Sequence, residues 1–316
     1  MNRPLLPRRS VVAAVAAASA LVLTACGGGG DPLANGGSGQ QSGGGGDAAQ
    51  TIVVGSANFT ESQILAEIYA QALAAKGVTV EKRLSIGSRE TYMPGLEDGS
   101  IDLIPEYSGV LLQYFDKGAT EVEAEAVYTA LQAALPPALT VLEKSEAEDK
   151  DAVVITRETA TRLNAKSIAD LAPHCGQLVF GGAPEFQTRP DGIPGIAESY
   201  GCTFASYQSL DAGGPLTVGA LVNGDIQAAN LFTTDASIET NDFVVLEDPE
   251  NNFAAQSVLP LINKEKATPE VTETLNAISA KLTTEGLIEL NAEASSDAKP
   301  NPETVAKGWL DKNGLS

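Results

Sequence analysis

The sequence predicts an α/β protein folded as two lobes, and three observations carry that prediction. Between residues 51 and 115, short β-branched runs at 52–54, 78–84 and 101–104 alternate with amphipathic segments, which is the pattern of parallel strands joined by helices. The alternation resumes between residues 152 and 262. About 266 residues follow from Thr51 onward, enough for two such units with cores of their own.

The first unit reads as strand, turn, helix, strand, turn, short helix, strand, turn. Its strands end in the small-residue turns Gly55-Ser56-Ala57-Asn58, Gly87-Ser88-Arg89 and Glu106-Tyr107-Ser108-Gly109. Ligands of such sheets bind beyond the carboxyl ends of the strands, so the three turns predict one cleft. Thr60-Glu61-Ser62-Gln63 fits a capping box that starts the first helix. Tyr107, a bulky ring where a turn does not need one, is predicted to be an aromatic wall of the cleft.

Residues 122–135 repeat Ala, Val and Leu at helical spacing and stop at Pro136-Pro137. Strands are expected at 139–142 and 152–156, around the charged stretch 143–151. In the second unit Ser167 caps a short helix to Ala172, residues 178–180 form a strand, and 181–192 a long irregular turn. Residues 194–200 form a helix ended by Gly201, residues 216–223 another, and 226–231 a strand that delivers Phe232-Thr233-Thr234-Asp235. A strand at 257–262 and helices at 269–282, 285–294 and 302–312 complete the chain, with Trp309 packing against the first lobe rather than lining a site.

Residues 1–25 read as a leader outside the fold. Arg3, Arg8 and Arg9 precede an apolar run at 11–23 that is shorter than the ~20 residues of a membrane span. Leu23-Thr24-Ala25-Cys26 resembles a bacterial lipobox, which implies cleavage before Cys26 and a lipid on its sulfur. Residues 26–50 are Gly- and Ser-rich, a flexible tether spanning on the order of 25 Å. With 20 Lys and Arg against 41 Asp and Glu, and a net charge of −21, the chain repels nucleic acid and anionic lipid. With Cys26 assigned to lipid, Cys175 and Cys202 remain, an even number in an oxidising compartment where they are expected to pair. His174 beside Cys175 has poor geometry for a thiol protease, and no metal-ligand cluster or phosphate-binding loop is present in the sequence.

The segments GSANFTESQILAEIYAQAL and DGSIDLIPEYSG, followed by EFQTRPDGIPGIAESYG and LVNGDIQAANLFTTD, resemble the glycine betaine, choline and carnitine binding proteins that deliver osmoprotectants to ABC importers. The resemblance runs from about Thr51 to the C-terminus. It implies a two-lobed periplasmic-binding-protein-like fold of type II, each lobe a sheet flanked by helices. The chain would cross between lobes near 150–154 and 256–259. Lobe I would be residues 51–151 with 257–316, and lobe II residues 152–256.

Quaternary ammonium ions donate no hydrogen bonds and are held by aromatic faces, each contributing roughly 0.5 to 2 kcal/mol. The resemblance places Tyr107 and Phe232 at two positions of such a cage. The other two fall at Ala152 and Gln256, and a lysine common in the first turn is Ala57, so Phe186 and Tyr92 are the rings available to complete it. Arg189 matches the family's carboxylate-binding arginine; from its surroundings alone it would equally brace the turn through Glu185 or Asp191. Asn58, Thr60, Ser88, Arg89, Gln187, Thr233, Thr234 and Gln256 supply a polar rim that also suits a polyhydroxylated or aromatic solute.

The expected function is a lipid-anchored extracytoplasmic receptor, without cofactor or catalysis, that closes on a small solute and presents it to the permease and ATPase of an ABC importer. Two other classes compete: an exported enzyme on the same scaffold, and a surface protein whose cleft has left transport.

Overall fold

The computed structural model describes residues 51–316. The expected leader, the lipidation site Cys26 and the tether lie outside the described residues. Two five-stranded sheets flanked by helices make the two lobes.

The first lobe is built from β1 (Ile52–Gly55), α1 (Thr60–Ala75), β2 (Val80–Arg83), α2 (Arg89–Glu97), β3 (Leu103–Tyr107), α3 (Ser108–Phe115), α4 (Ala124–Ala134) and β4 (Leu139–Val141). The second comprises β5 (Asp151–Thr156), α5 (Arg157–Leu163), α6 (Ile168–Leu171), β6 (Val179–Gly182), α7 (Ile193–Tyr200), β7 (Ser206–Ser209), α8 (Pro215–Asn223), β8 (Ala228–Phe232), α9 (Ser237–Thr240) and β9 (Phe243–Val245). The chain then returns to the first lobe with β10 (Val258–Asn263), α10 (Pro269–Ser279), α11 (Thr284–Ser295) and α12 (Pro302–Asn313).

The sheets run β2-β1-β3-β10-β4 and β7-β6-β8-β5-β9, and both are mixed rather than parallel throughout. β10 is antiparallel to β3 and β4, and β5 is antiparallel to β8 and β9. The reason is where these strands enter. Each is the first strand after a crossing between lobes, so it enters its sheet at the cleft edge, where the parallel strands leave. The two crossings lie side by side, with the Asp149 N–H donating to the Gln256 carbonyl at 3.2 Å and the Val258 N–H to the Ala147 carbonyl at 3.0 Å.

Two local expectations are corrected, and four elements go unforeseen. Glu106 and Tyr107 are strand, not turn, and β3 runs directly into α3 at Ser108. This abrupt join is possible because Gln256 Oε1 accepts the N–H groups of Gly109 and Val110, both at 3.0 Å, and so satisfies donors that the first helical turn leaves open. The capping box at Thr60 does not form: Phe59 is the extended residue before α1 and Thr60 is already helical and exposed. Ser62 Oγ instead accepts the Ala57 N–H at 2.9 Å, closing the preceding turn. β7, with the sequence Ser-Tyr-Gln-Ser, β9 and the short helices α5 and α9 carry too little apolar periodicity to be foreseen.

Cores lie on both faces of each sheet. Ile64, Leu65, Ile68 and Leu73 of α1 are fully buried, and Trp309 of α12 joins their cluster in the first lobe. In the second lobe Phe180 stacks on Phe186 with ring centroids 5.6 Å apart. Cys175 and Cys202, both buried, are joined by a disulfide with Cα atoms 5.5 Å apart.

Gly109 sits where α3 meets the return crossing, and a Cβ there would lie 2.7 Å from the Ala255 carbonyl oxygen. Gly109→Ala is expected to destabilise the protein by roughly 1–3 kcal/mol in chemical denaturation. Gly308, exposed on α12 with open space where a Cβ would stand, is the contrast: Gly308→Ala should stabilise by about 0.5–1 kcal/mol.

Candidate functional site

A cavity of about 60 Å³ lies where the lobes meet, at the carboxyl ends of β1, β3 and β8 and the start of β5. Because β5 runs against β8, its first residue, Asp151, stands in register with the last of β8, Phe232. Chain entry and chain exit therefore both face the cavity.

Three aromatic rings form one wall. Phe59 lies between Tyr107 and Phe232, with centroids 6.0 Å and 5.1 Å away and interplanar angles of 34° and 33°. Tyr107 and Phe232, expected to converge from different lobes, line this cavity together with Arg189. Phe59 was not foreseen, although its signal was present: a large apolar side chain between Asn58 and Thr60, in a turn that offers it no helix or strand face. Phe186 and Tyr92 also line the cavity. Phe186 is committed to the core against Phe180, and the Tyr92 hydroxyl donates to Glu106 Oε1 at 2.5 Å.

Of the remaining expected residues, Asn58, Ser88, Arg89 and Gln256 line the cavity. Thr60 borders an adjoining cavity of about 210 Å³ instead, together with Thr234. Gln187 is exposed on a 3₁₀ turn outside it, and the Thr233 hydroxyl accepts the Lys150 N–H at 2.9 Å in the crossing. Ala152 is buried in β5; strand alternation turns Asp151 toward the cavity in its place. Asp149 and Asn230 are further lining residues that no sequence pattern singles out, the first because it sits in a charged stretch that reads as solvated surface.

Both arginines of the cavity already have partners. Arg89 is buried and donates through Nε and Nη2 to Glu106 at 2.8 and 2.6 Å. Arg189, on the second lobe, donates through Nε and Nη2 to Glu90 on α2 of the first lobe at 3.1 and 3.0 Å, rather than to Glu185 or Asp191. Burial raises the Glu90 carboxyl, but the hydrogen bonds and charge of Arg189 outweigh it and hold the group at about 2.

A second interlobe contact is centred on Glu61, which is 5 % exposed. Its Oε1 accepts from the Tyr107 hydroxyl at 2.7 Å, and its Oε2 from Asn291 Nδ2 and the Thr234 hydroxyl, both at 2.6 Å. The Thr234 oxygen is also 2.8 Å from Asp149 Oδ1. One hydroxyl proton thus lies between two carboxylates, and burial, then the Glu61 charge, pushes the Asp149 carboxyl well above its ordinary value. Burial likewise raises Asp151 against its hydrogen bond from Asn230, and burial with the charge of Asp151 raises Asp191 to about 7.

The family model described as OpuAC, the substrate binding domain of an ABC-type glycine betaine transport system, matches residues 50–312. The chain is 28 % identical over 281 residues to a glycine-betaine-binding protein of Pseudomonas aeruginosa, covering 84 % of this chain and 89 % of the relative. It is 27 % identical over 276 residues to an ergothioneine transport permease/ergothioneine binding protein of Helicobacter pylori, covering 84 % of this chain and 48 % of that longer protein. Among solved structures, a glycine betaine/carnitine/choline ABC transporter crystal structure superposes with a TM-score of 0.67 at 23 % identity, over 84 % of this chain and 99 % of the other, which shows a shared fold.

The shifts set a pH dependence with a definite sign. Asp191 moves up from 3.8 to about 7, so the folded chain binds more protons than the unfolded one in that window and stability falls as pH rises through it. Asp149 and Asp151 act in the same direction. Glu90 acts oppositely: its pairing with Arg189 is fully present above an unfolded value of 4.5 and is lost as pH falls toward about 2. Thermal melts of the ligand-free protein should show a lower midpoint at about pH 7.5 than at about pH 5, and Asp191→Asn should reduce that difference.

Proposed function

The chain belongs to the family of substrate binding domains of ABC-type glycine betaine transport systems, and on that premise we propose that it is an extracytoplasmic lipoprotein receptor for a small quaternary ammonium solute. The glycine betaine and choline class is the leading ligand. Residues 51–150 with 257–316 act as lobe I and residues 151–256, from the first residue of β5, as lobe II, closing on the solute about the paired crossings. The closed form is then presented to the permease subunits and their ATPase. Cys26 carries the lipid, residues 27–50 reach from the membrane, and no catalysis is assigned to the cleft.

The observation that carries the ligand class is the ring trio Phe59, Tyr107 and Phe232 facing a cavity whose arginines are already paired. A tetraalkylammonium ion offers no hydrogen-bond donor, so ring faces and nearby carboxylates are the groups that compensate for its lost water. Asn58, Ser88, Gln256 and the free edge of Arg189 orient the rest of the molecule. Arg189 also joins the lobes through Glu90, so in this reading it links ligand contact to closure.

A heteroaromatic or polyhydroxylated solute is the second reading. Asp149, Asp151 and Asn230 in the lining favour it, as does the relative named for ergothioneine binding.

Calorimetry and thermal shift on the purified protein with glycine betaine, choline, carnitine, ergothioneine and sugars test both readings. A true ligand at one hundred times its dissociation constant adds about 2.7 kcal/mol of stability. Phe232→Ala and Phe59→Ala should each cost about 1 kcal/mol or more of binding to a quaternary ammonium ligand. Unchanged binding in both variants would remove the aromatic wall from the site. Cys26→Ser should abolish lipid processing and membrane association; unaltered fractionation would rule out the anchor.

A further inference from the structure

We infer that Asp151 selects among solutes, and that the site takes a cation carrying a hydrogen-bond donor, an O–H or N–H group, in preference to a short zwitterion such as glycine betaine. The inference rests on the receptor reading above and specifies its ligand.

Asp151 is 9 % exposed and lines the cavity at the start of β5, in register with Phe232. Its Oδ1 accepts from Asn230 Nδ2 at 2.8 Å. Among the described residues no further side-chain donor reaches it, and no cationic nitrogen pairs with it within 4.0 Å. The two arginines of the cavity commit their hydrogen bonds elsewhere, Arg89 bidentate to Glu106 and Arg189 to Glu90, and act on Asp151 only by their charge, without direct pairing. A buried carboxylate with one oxygen facing a cavity and no paired cation is costly unless something else brings a donor or a positive charge.

The neighbouring groups define what that something is. The rings of Phe59 and Phe232, the latter opposite Asp151, take a cationic alkyl or aromatic face, and Asp151 takes a donor attached to it. A solute whose far end is a carboxylate brings like charge to Asp151 and meets arginines whose best donors are already used. Rejection of that end is therefore part of the selection, alongside attraction of the donor.

The test is a two-by-two titration of the purified protein and its Asp151→Asn variant with choline and glycine betaine. Asparagine keeps the size and removes the charge; if that variant does not fold, Asp151→Ser serves the same purpose. The unaltered protein should bind choline at least tenfold more tightly than glycine betaine. The variant should lose tenfold or more for the donor-bearing ligand while holding or gaining affinity for glycine betaine, which a merely structural role would not produce. Equal losses for both ligands, or an unchanged ratio, would overturn the assignment of Asp151 while leaving the receptor reading intact. Absence of binding by both to the unaltered protein would overturn that reading and this inference with it.

Discussion

The contact on which this arrangement most depends is the buried carboxylate of Glu61. It lies on the first turn of α1, yet its oxygens collect the hydroxyl of Tyr107 from the end of β3, the amide of Asn291 from α11 and the hydroxyl of Thr234 from beyond β8. Each of these donors is buried, so losing the carboxylate would leave several polar groups unpaired at once. Two of them belong to the first lobe and one to the second. A single side chain therefore fixes the orientation of a cavity-lining ring and registers one lobe against the other.

The same economy appears in the backbone. The strands that follow each crossing enter from the cleft and run against their neighbours, so Asp151 arrives at the cavity through β5 while Phe232 leaves toward it through β8. Gln256 in the return crossing holds the first N–H groups of α3, immediately after Tyr107. The return crossing therefore lies directly against the cavity wall. The pair Arg189–Glu90 spans the lobes on another side, and its partly exposed carboxylate makes it a salt-sensitive contact rather than a rigid one.

How much of this was legible in the sequence follows from the range of each interaction. Strands and helices with clear apolar periods fall within a few residues of where those periods put them, and the convergence of Tyr107 with Phe232 follows from their positions at the carboxyl ends of buried strands. Phe59 was hidden because its neighbours read as the start of a helix, and the actual start falls one residue earlier than the capping pattern implied. Asp151 was hidden by a one-residue choice on a strand, where alternation decides which of two neighbours faces the cleft. The partner of Arg189 is 99 residues away on another lobe, and no local pattern specifies such a pairing. Family membership fixed the architecture, whereas the chemistry of the cavity wall depends on side chains that only the fold brings together.

The proton chemical shift of the trimethylammonium methyl groups of choline, bound to the purified protein, tests most directly whether these rings hold a cation. Methyl groups seated against the faces of Phe59, Tyr107 and Phe232 lie in the shielding region of the rings. They should therefore move upfield on binding, and the shift should shrink in Phe59→Ala and in Phe232→Ala. Bound choline whose methyl resonances stay at their free position, or move equally in the parent and both variants, would contradict an aromatic seat for the cation.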